Sequence, residues 1–149
     1  MKQENLKQWM ADARLNGKED ADGFLNVSRN NLEISVAYLQ DEELVVCFAP
    51  ILELSTLDDT QRLEVLSQAL SLNGVGNLPP GCALSYEDEA EVVYLLWQQS
   101  PEQLDSPRFA NAFDNFEKAA AQVQEHLNQS LPEETAASNF AEQKFAIKV

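Results

Sequence analysis

Six apolar residues near the end of the chain, Phe109, Phe113, Phe116, Ala120, Val123 and Leu127, recur at spacings of 4, 3, 4, 3 and 4. That rhythm puts all of them on one side of an α-helix about five turns long. A seam so continuous has to lie along one continuous apolar surface, and the rest of the chain must supply it. The helix has clear ends. Asp105-Ser106-Pro107 offers a start, with proline at a first helical position, and Leu131-Pro132 a stop. An earlier start signal, Ser100-Pro101-Glu102-Gln103, precedes it.

The middle of the chain reads as strands able to form that surface. From Phe24 to Arg29, Leu25 and Val27 alternate with Asn26 and Ser28. Asn30-Asn31 reads as a hairpin turn, because Asn tolerates positive φ. Leu32, Ile34, Val36 and Tyr38 then alternate with Glu33, Ser35 and Ala37. Residues 44–49 are apolar on both faces, which predicts a central strand, and Pro50 is expected to end its pairing. Cys82 to Tyr86 and Val92 to Trp97 flank the acidic turn Glu87-Asp88-Glu89. In the second of these, Val93, Leu95 and Trp97 share one face and Val92, Tyr94 and Leu96 the other. Both faces want cover, yet helices on one side of a sheet cover only one. The other face implies a partner.

Two further helices complete the string. Leu6, Trp9, Met10 and Ala13 share a face over residues 3–15, ended by Asn16-Gly17, and residues 17–22 read as a polar loop. Thr56 and Asp59 fit a capping pattern before a helix whose apolar rows are Leu63-Leu66-Leu70 and Val65-Ala69-Leu72. Two rows are wider than one sheet face uses, so this helix is expected to touch more than one surface. Asn73-Gly74 ends it. The order is α-β-β-β-α-β-β-α, an α+β domain over residues 1–131 with a mainly antiparallel five-stranded sheet and helices packed on it. Residues 132–149 read as an extension, either mobile or a short helix.

Charge narrows the functional classes. The 149 residues hold 25 Asp+Glu against 10 Lys+Arg, a net charge of −15. Such a surface repels nucleic-acid backbones and anionic lipid. The few bases gather early, at Lys2, Lys7, Arg14 and Lys18. The longest apolar run, residues 44–52, is about half of what spans a bilayer. The N-terminus leads into an amphipathic pattern instead of a signal core, so a cytoplasmic location with reduced cysteines is expected.

Enzyme chemistry finds little support. The one histidine, His126, has no second histidine for a metal, and no Ser or Cys lies beside it. Cys47 and Cys82 form no C-x-x-C pair and read as strand-core residues. The acidic turns at 41–43 and 87–91 lack the spaced ligands and glycine of a calcium loop. No cofactor, no metal and no catalytic residue is expected. What stands out is apolar surface in excess of a single core, which points to a protein-binding module that dimerises.

The order of elements, with Leu66-Ser67-Gln68-Ala69-Leu70-Ser71-Leu72-Asn73, then Gly81-Cys82-Ala83-Leu84-Ser85-Tyr86 and Val92-Val93-Tyr94-Leu95-Leu96, resembles the class I type III secretion chaperones, the Tir-chaperone family. The resemblance covers roughly residues 3–130. It implies a cytoplasmic bacterial homodimer that binds the N-terminal region of an effector in extended form and keeps it secretion-competent. It also leaves open a regulatory adaptor that exchanges partners with an anti-activator. On this basis the effector is expected on the first helix and first two strands, at Leu6, Trp9, Met10, Leu25, Val27, Ile34 and Val36. The dimer interface is expected at Leu63, Leu66, Leu70, Cys82, Leu84 and Tyr86.

Overall fold

A computed structural model describes residues 1–131; the extension at 132–149 lies outside the described residues. The elements are α1 (Gln3–Asp12), β1 (Lys18–Glu19), β2 (Leu25–Arg29), β3 (Leu32–Leu39), β4 (Leu44–Glu53), α2 (Asp59–Leu72), β5 (Cys82–Glu87), β6 (Val92–Gln99) and α3 (Ser106–Gln129), with a short 3-10 turn at Pro101–Gln103. The sheet has six strands in the order β1-β2-β3-β4-β6-β5, every pairing antiparallel. The expected five become six because the polar stretch at 17–22 contributes β1. Its Lys18 and Glu19 pair with Asn26 and Leu25. Two residues of pairing at an edge leave no hydrophobic alternation to read.

The hairpin at Asn30-Asn31 forms as expected, with φ of 51° and 64°. Both central residues are left-handed, as a tight two-residue hairpin loop requires. Pro50 does not end β4. Pairing with β6 continues to Glu53, with the register slipping between Pro50 and Leu52. A bulge lets the strand carry a residue that cannot donate.

The sheet's inner face is continuous. Leu25, Val36, Cys47 and Trp97 lie in one row across four strands, joined by direct register. All are buried, as are Val27, Ile34, Val45, Ala49, Val93 and Leu95. α3 lies on this face, and every residue of its seam is buried. Asp105 caps α3 by accepting the Arg108 N–H at 2.9 Å, so the later of the two start signals opens the α-helix and the earlier one the 3-10 turn. α1 packs beside α3, its Leu6 and Met10 fully covered and its Trp9 ring 6.0 Å from Phe109. The Ser106 hydroxyl donates to the Asp12 carboxylate at 2.7 Å and fixes where the two helices meet. α1 stops at Asp12, short of the expected 15, where Arg14 turns left-handed at φ 59°.

One buried carboxylate anchors the far end of this layer. Glu117, on α3, is 6% exposed. It accepts from the Asn30 side chain at the hairpin tip, and Arg29 stands 3.6 Å from its other oxygen. A charge so placed is held by its partners.

Candidate partner-binding surface

The outer face of the sheet carries no helix among the described residues. α1 and α3 cover the inner face, and α2 sits against α3 and β5. Strand alternation turns Asn26, Ser35, Phe48, Leu96 and Ala83 outward in one register row. Phe48 is central. Its ring meets Phe24 edge-on at 5.5 Å and Tyr94 at 6.3 Å. Val46, Val92 and Tyr94 are half-buried, and Leu96 is 39% exposed. The result is an aromatic and aliphatic band crossing the sheet, half in water. Edge-to-face aromatic contacts hold the rings in place and present a preformed surface.

The residues expected to hold an effector are placed differently. Leu6, Met10, Leu25, Val27, Ile34 and Val36 are at most 5% exposed and belong to the core beneath α1. Inward-facing residues of β2 and β3 are the floor on which α1 and α3 rest, so a partner reaches them only by displacing a helix. Of the seven, Trp9 alone keeps a partly exposed side chain. On the α1 side a cleft of about 340 Å3 remains, lined in part by Met10, Leu15 and Leu25. Lys7 and Glu19, both among its lining residues, pair at 2.9 Å. That pair uses one of the early bases.

The residues expected at a dimer interface divide in two. Leu63 and Leu70 are 70% and 73% exposed, and Leu66, between them on the same helix face, is half-buried. Val65 and Ala69, on the opposite side, are the residues α2 buries. On β5, Leu84 is buried within the protomer, while Cys82 and Tyr86 are half-buried. The N-cap of α2 is Asp58, not Thr56. Asp58 accepts the Gln61 N–H at 2.8 Å, and Gln61 returns the bond through its side-chain oxygen.

Chemistry is sparse by comparison. Among the described residues no group of three His, Cys, Asp or Glu is placed to hold a metal ion, and no helix is long and apolar enough to cross a membrane. Burial pushes the Cys47 thiol far up, and pushes Cys82 up to about 11. Thiolate is the reactive form, so both cysteines are expected to resist iodoacetamide at pH 8 in the folded chain and to label together on unfolding. Rapid labelling of Cys82 in the folded protein contradicts this.

The Tir chaperone protein (CesT) family matches the chain over residues 5–124. The chain belongs to this family. It is a class I type III secretion chaperone, as the order of its elements implied. Solved structures share the fold. A chain of the HopA1–SchA chaperone–effector complex matches with a TM-score of 0.60 at 13% identity, over 82% of this chain and 91% of that one. A chain of the ExoT–SpcS complex from Pseudomonas aeruginosa gives 0.58 at 16% identity, over 80% and 94%. YbjN, a putative transcription regulator from E. coli, gives 0.67 at 14% identity, over 89% and 97%. At such identities the likeness is one of fold, and YbjN shares it under another description. The family match separates the CesT reading from a bare fold likeness. No curated protein sequence matches the chain.

The aromatic band was only partly visible in advance. Tyr94 and Leu96 stood out because their strand was apolar on both faces. Phe24 and Phe48 carry no signal in the sequence beyond that of strand residues. The signal available was the two-faced apolar run at 44–49, whose second face a one-sided helical layer leaves bare.

Proposed function

We propose that this CesT-family chaperone works as a cytoplasmic homodimer and holds the N-terminal region of a type III effector, in extended form, on the helix-free face of its sheet. The observation that carries this is the band of Phe24, Phe48, Tyr94 and Leu96 on a face that no helix covers among the described residues. Covering such a surface releases about 25 cal/mol per Å2 of apolar area before ordering costs, and needs no nucleotide. An effector segment bound there buries its own apolar side chains without folding around them. The net charge of −15 keeps a sticky chaperone soluble. The protein is proposed to have no catalytic role.

The homodimer reading rests on α2. Leu63 and Leu70 stand exposed on one helix face, with Leu66 between them packed partly on the core, and a second copy of the same face is self-complementary. Wild-type chain is expected to run in light scattering at twice its 16.6 kDa mass. Leu63→Glu with Leu70→Glu is expected to give a folded monomer, because neither side chain is part of the protomer core. A wild-type monomer at micromolar concentration overturns the reading.

Affinity purification from the native bacterium, with and without secretion induction, tests the partner. An effector polypeptide on wild-type bait, lost from bait carrying Leu96→Asp, supports the proposal. A small cytoplasmic regulator in its place identifies the adaptor alternative.

A further inference from the structure

A sheet has two edges, and each presents unpaired backbone groups to any passing strand. Here the edges are β5 on one side and β1 with the rest of β2 on the other. They are not equally open.

On β5 the backbone groups alternate between β6 and the outside. Gln98 N–H donates to the Gly81 carbonyl at 3.2 Å, so Gly81, Ala83 and Ser85 turn toward β6. Cys82, Leu84 and Tyr86 therefore turn outward. The middle one is occupied. Asn73 donates from Nδ2 to the Leu84 carbonyl at 3.0 Å, and its Oδ1 accepts the Leu84 N–H at 2.7 Å. A primary amide that pairs with both backbone groups of one residue reproduces, in one side chain, the bonds a facing strand residue makes. Cys82 N–H is taken by the Pro79 carbonyl at 3.1 Å. Asn73 is itself fixed as the C-cap of α2, its own N–H directed back to the Ala69 and Leu70 carbonyls. The helix end thus delivers the amide to the strand.

The opposite edge lacks such cover. β1 pairs with Leu25 and Asn26 only. Beyond it Ser28 turns its backbone groups outward with no strand outside it among the described residues, while Val27 and Arg29 face Ile34 and Leu32 on β3.

We propose that Asn73 is an edge guard: its amide occupies the middle of β5 and closes that edge to strand addition. The closure is read on the purified chain alone.

The test uses amide hydrogen exchange and sedimentation velocity on full-length protein. In the wild type, Leu84 N–H is expected to exchange at least ~10-fold more slowly than Tyr86 N–H, although both face outward. Asn73→Ala is expected to remove that difference and to add concentration-dependent association beyond the wild-type state. Tyr86→Pro in the Asn73→Ala background removes the neighbouring outward donor and is expected to cancel the added association. Leu84 exchanging as fast as Tyr86 in the wild type overturns the proposal. So does association in Asn73→Ala that is absent, or that survives the proline.

Discussion

Phe116→Ala is expected to cost the domain about 3–5 kcal/mol, out of a total that for a single domain is about 5–15 kcal/mol. Phe116 is 1% exposed and sits mid-seam on α3, whose face lies against β3 and β4. Truncation removes the ring and leaves a cavity between a helix and a sheet, and two layers built on register cannot close over it. In urea the midpoint should fall with the slope unchanged. In a thermal scan the loss should be roughly 10 °C. Leu63→Ala is the control, since its side chain is 70% exposed and its loss should stay within about 0.5 kcal/mol. Equal effects of the two substitutions would mean that α3 is not the core helix.

Tyr94→Ala is expected to act in the opposite way, sparing the fold and removing binding. Tyr94 is half-buried, and its ring leans on Phe48 from the water side of the sheet. Aromatic residues in a preformed apolar patch are the usual anchors of an interface, and truncating one costs about 2 kcal/mol or more, roughly 30-fold in affinity. Titration calorimetry with the N-terminal segment of the co-purified effector reads this directly. Glu89→Ala, in the exposed acidic turn, should leave the affinity unchanged. Tyr94→Ala binding as tightly as wild type places the effector elsewhere, with Trp9 and the cleft beside α1 the next surface to examine.

Much of the architecture was legible because its elements obey local rules. The seam of α3 is periodic over its whole length, and each of its residues is buried. The Asn30-Asn31 turn follows from the φ that Asn tolerates. β4 had to be internal because both its faces are apolar, and it lies between β3 and β6. What escaped depends on contacts between distant parts of the chain. β1 is two residues long and exists only because β2 offers it an edge. Pro50 stays inside a strand because the register slips beside it. Glu117 has no local signature, since its partners Arg29 and Asn30 are far away in sequence.

The binding surface was legible only as a surplus. Trp9 and Met10 on α1, the second face of β6 and the two rows of α2 exceed what a single core needs, but periodicity cannot tell a core floor from a docking floor. The layer above decides. α1 and α3 cover the face with Leu25, Val27, Ile34 and Val36, and leave the face with Phe48 and Tyr94 bare. For α2 the reading by rows went further, because Leu63 and Leu70 lie opposite the residues the helix buries. Asn73 was visible only as a helix stop. Its bonds to Leu84 appear once α2 and β5 are side by side.

The role proposed for the helix-free sheet face is to keep an effector competent for secretion. The most direct measurement is the amount of that effector in the culture medium of a strain lacking this chain, complemented with wild type or with Tyr94→Ala and Leu96→Asp together. Wild type is expected to restore secretion, and the double variant is expected to leave the medium as empty as the deletion while accumulating as a folded protein. Full restoration by the folded double variant would mean that this face does not hold the effector.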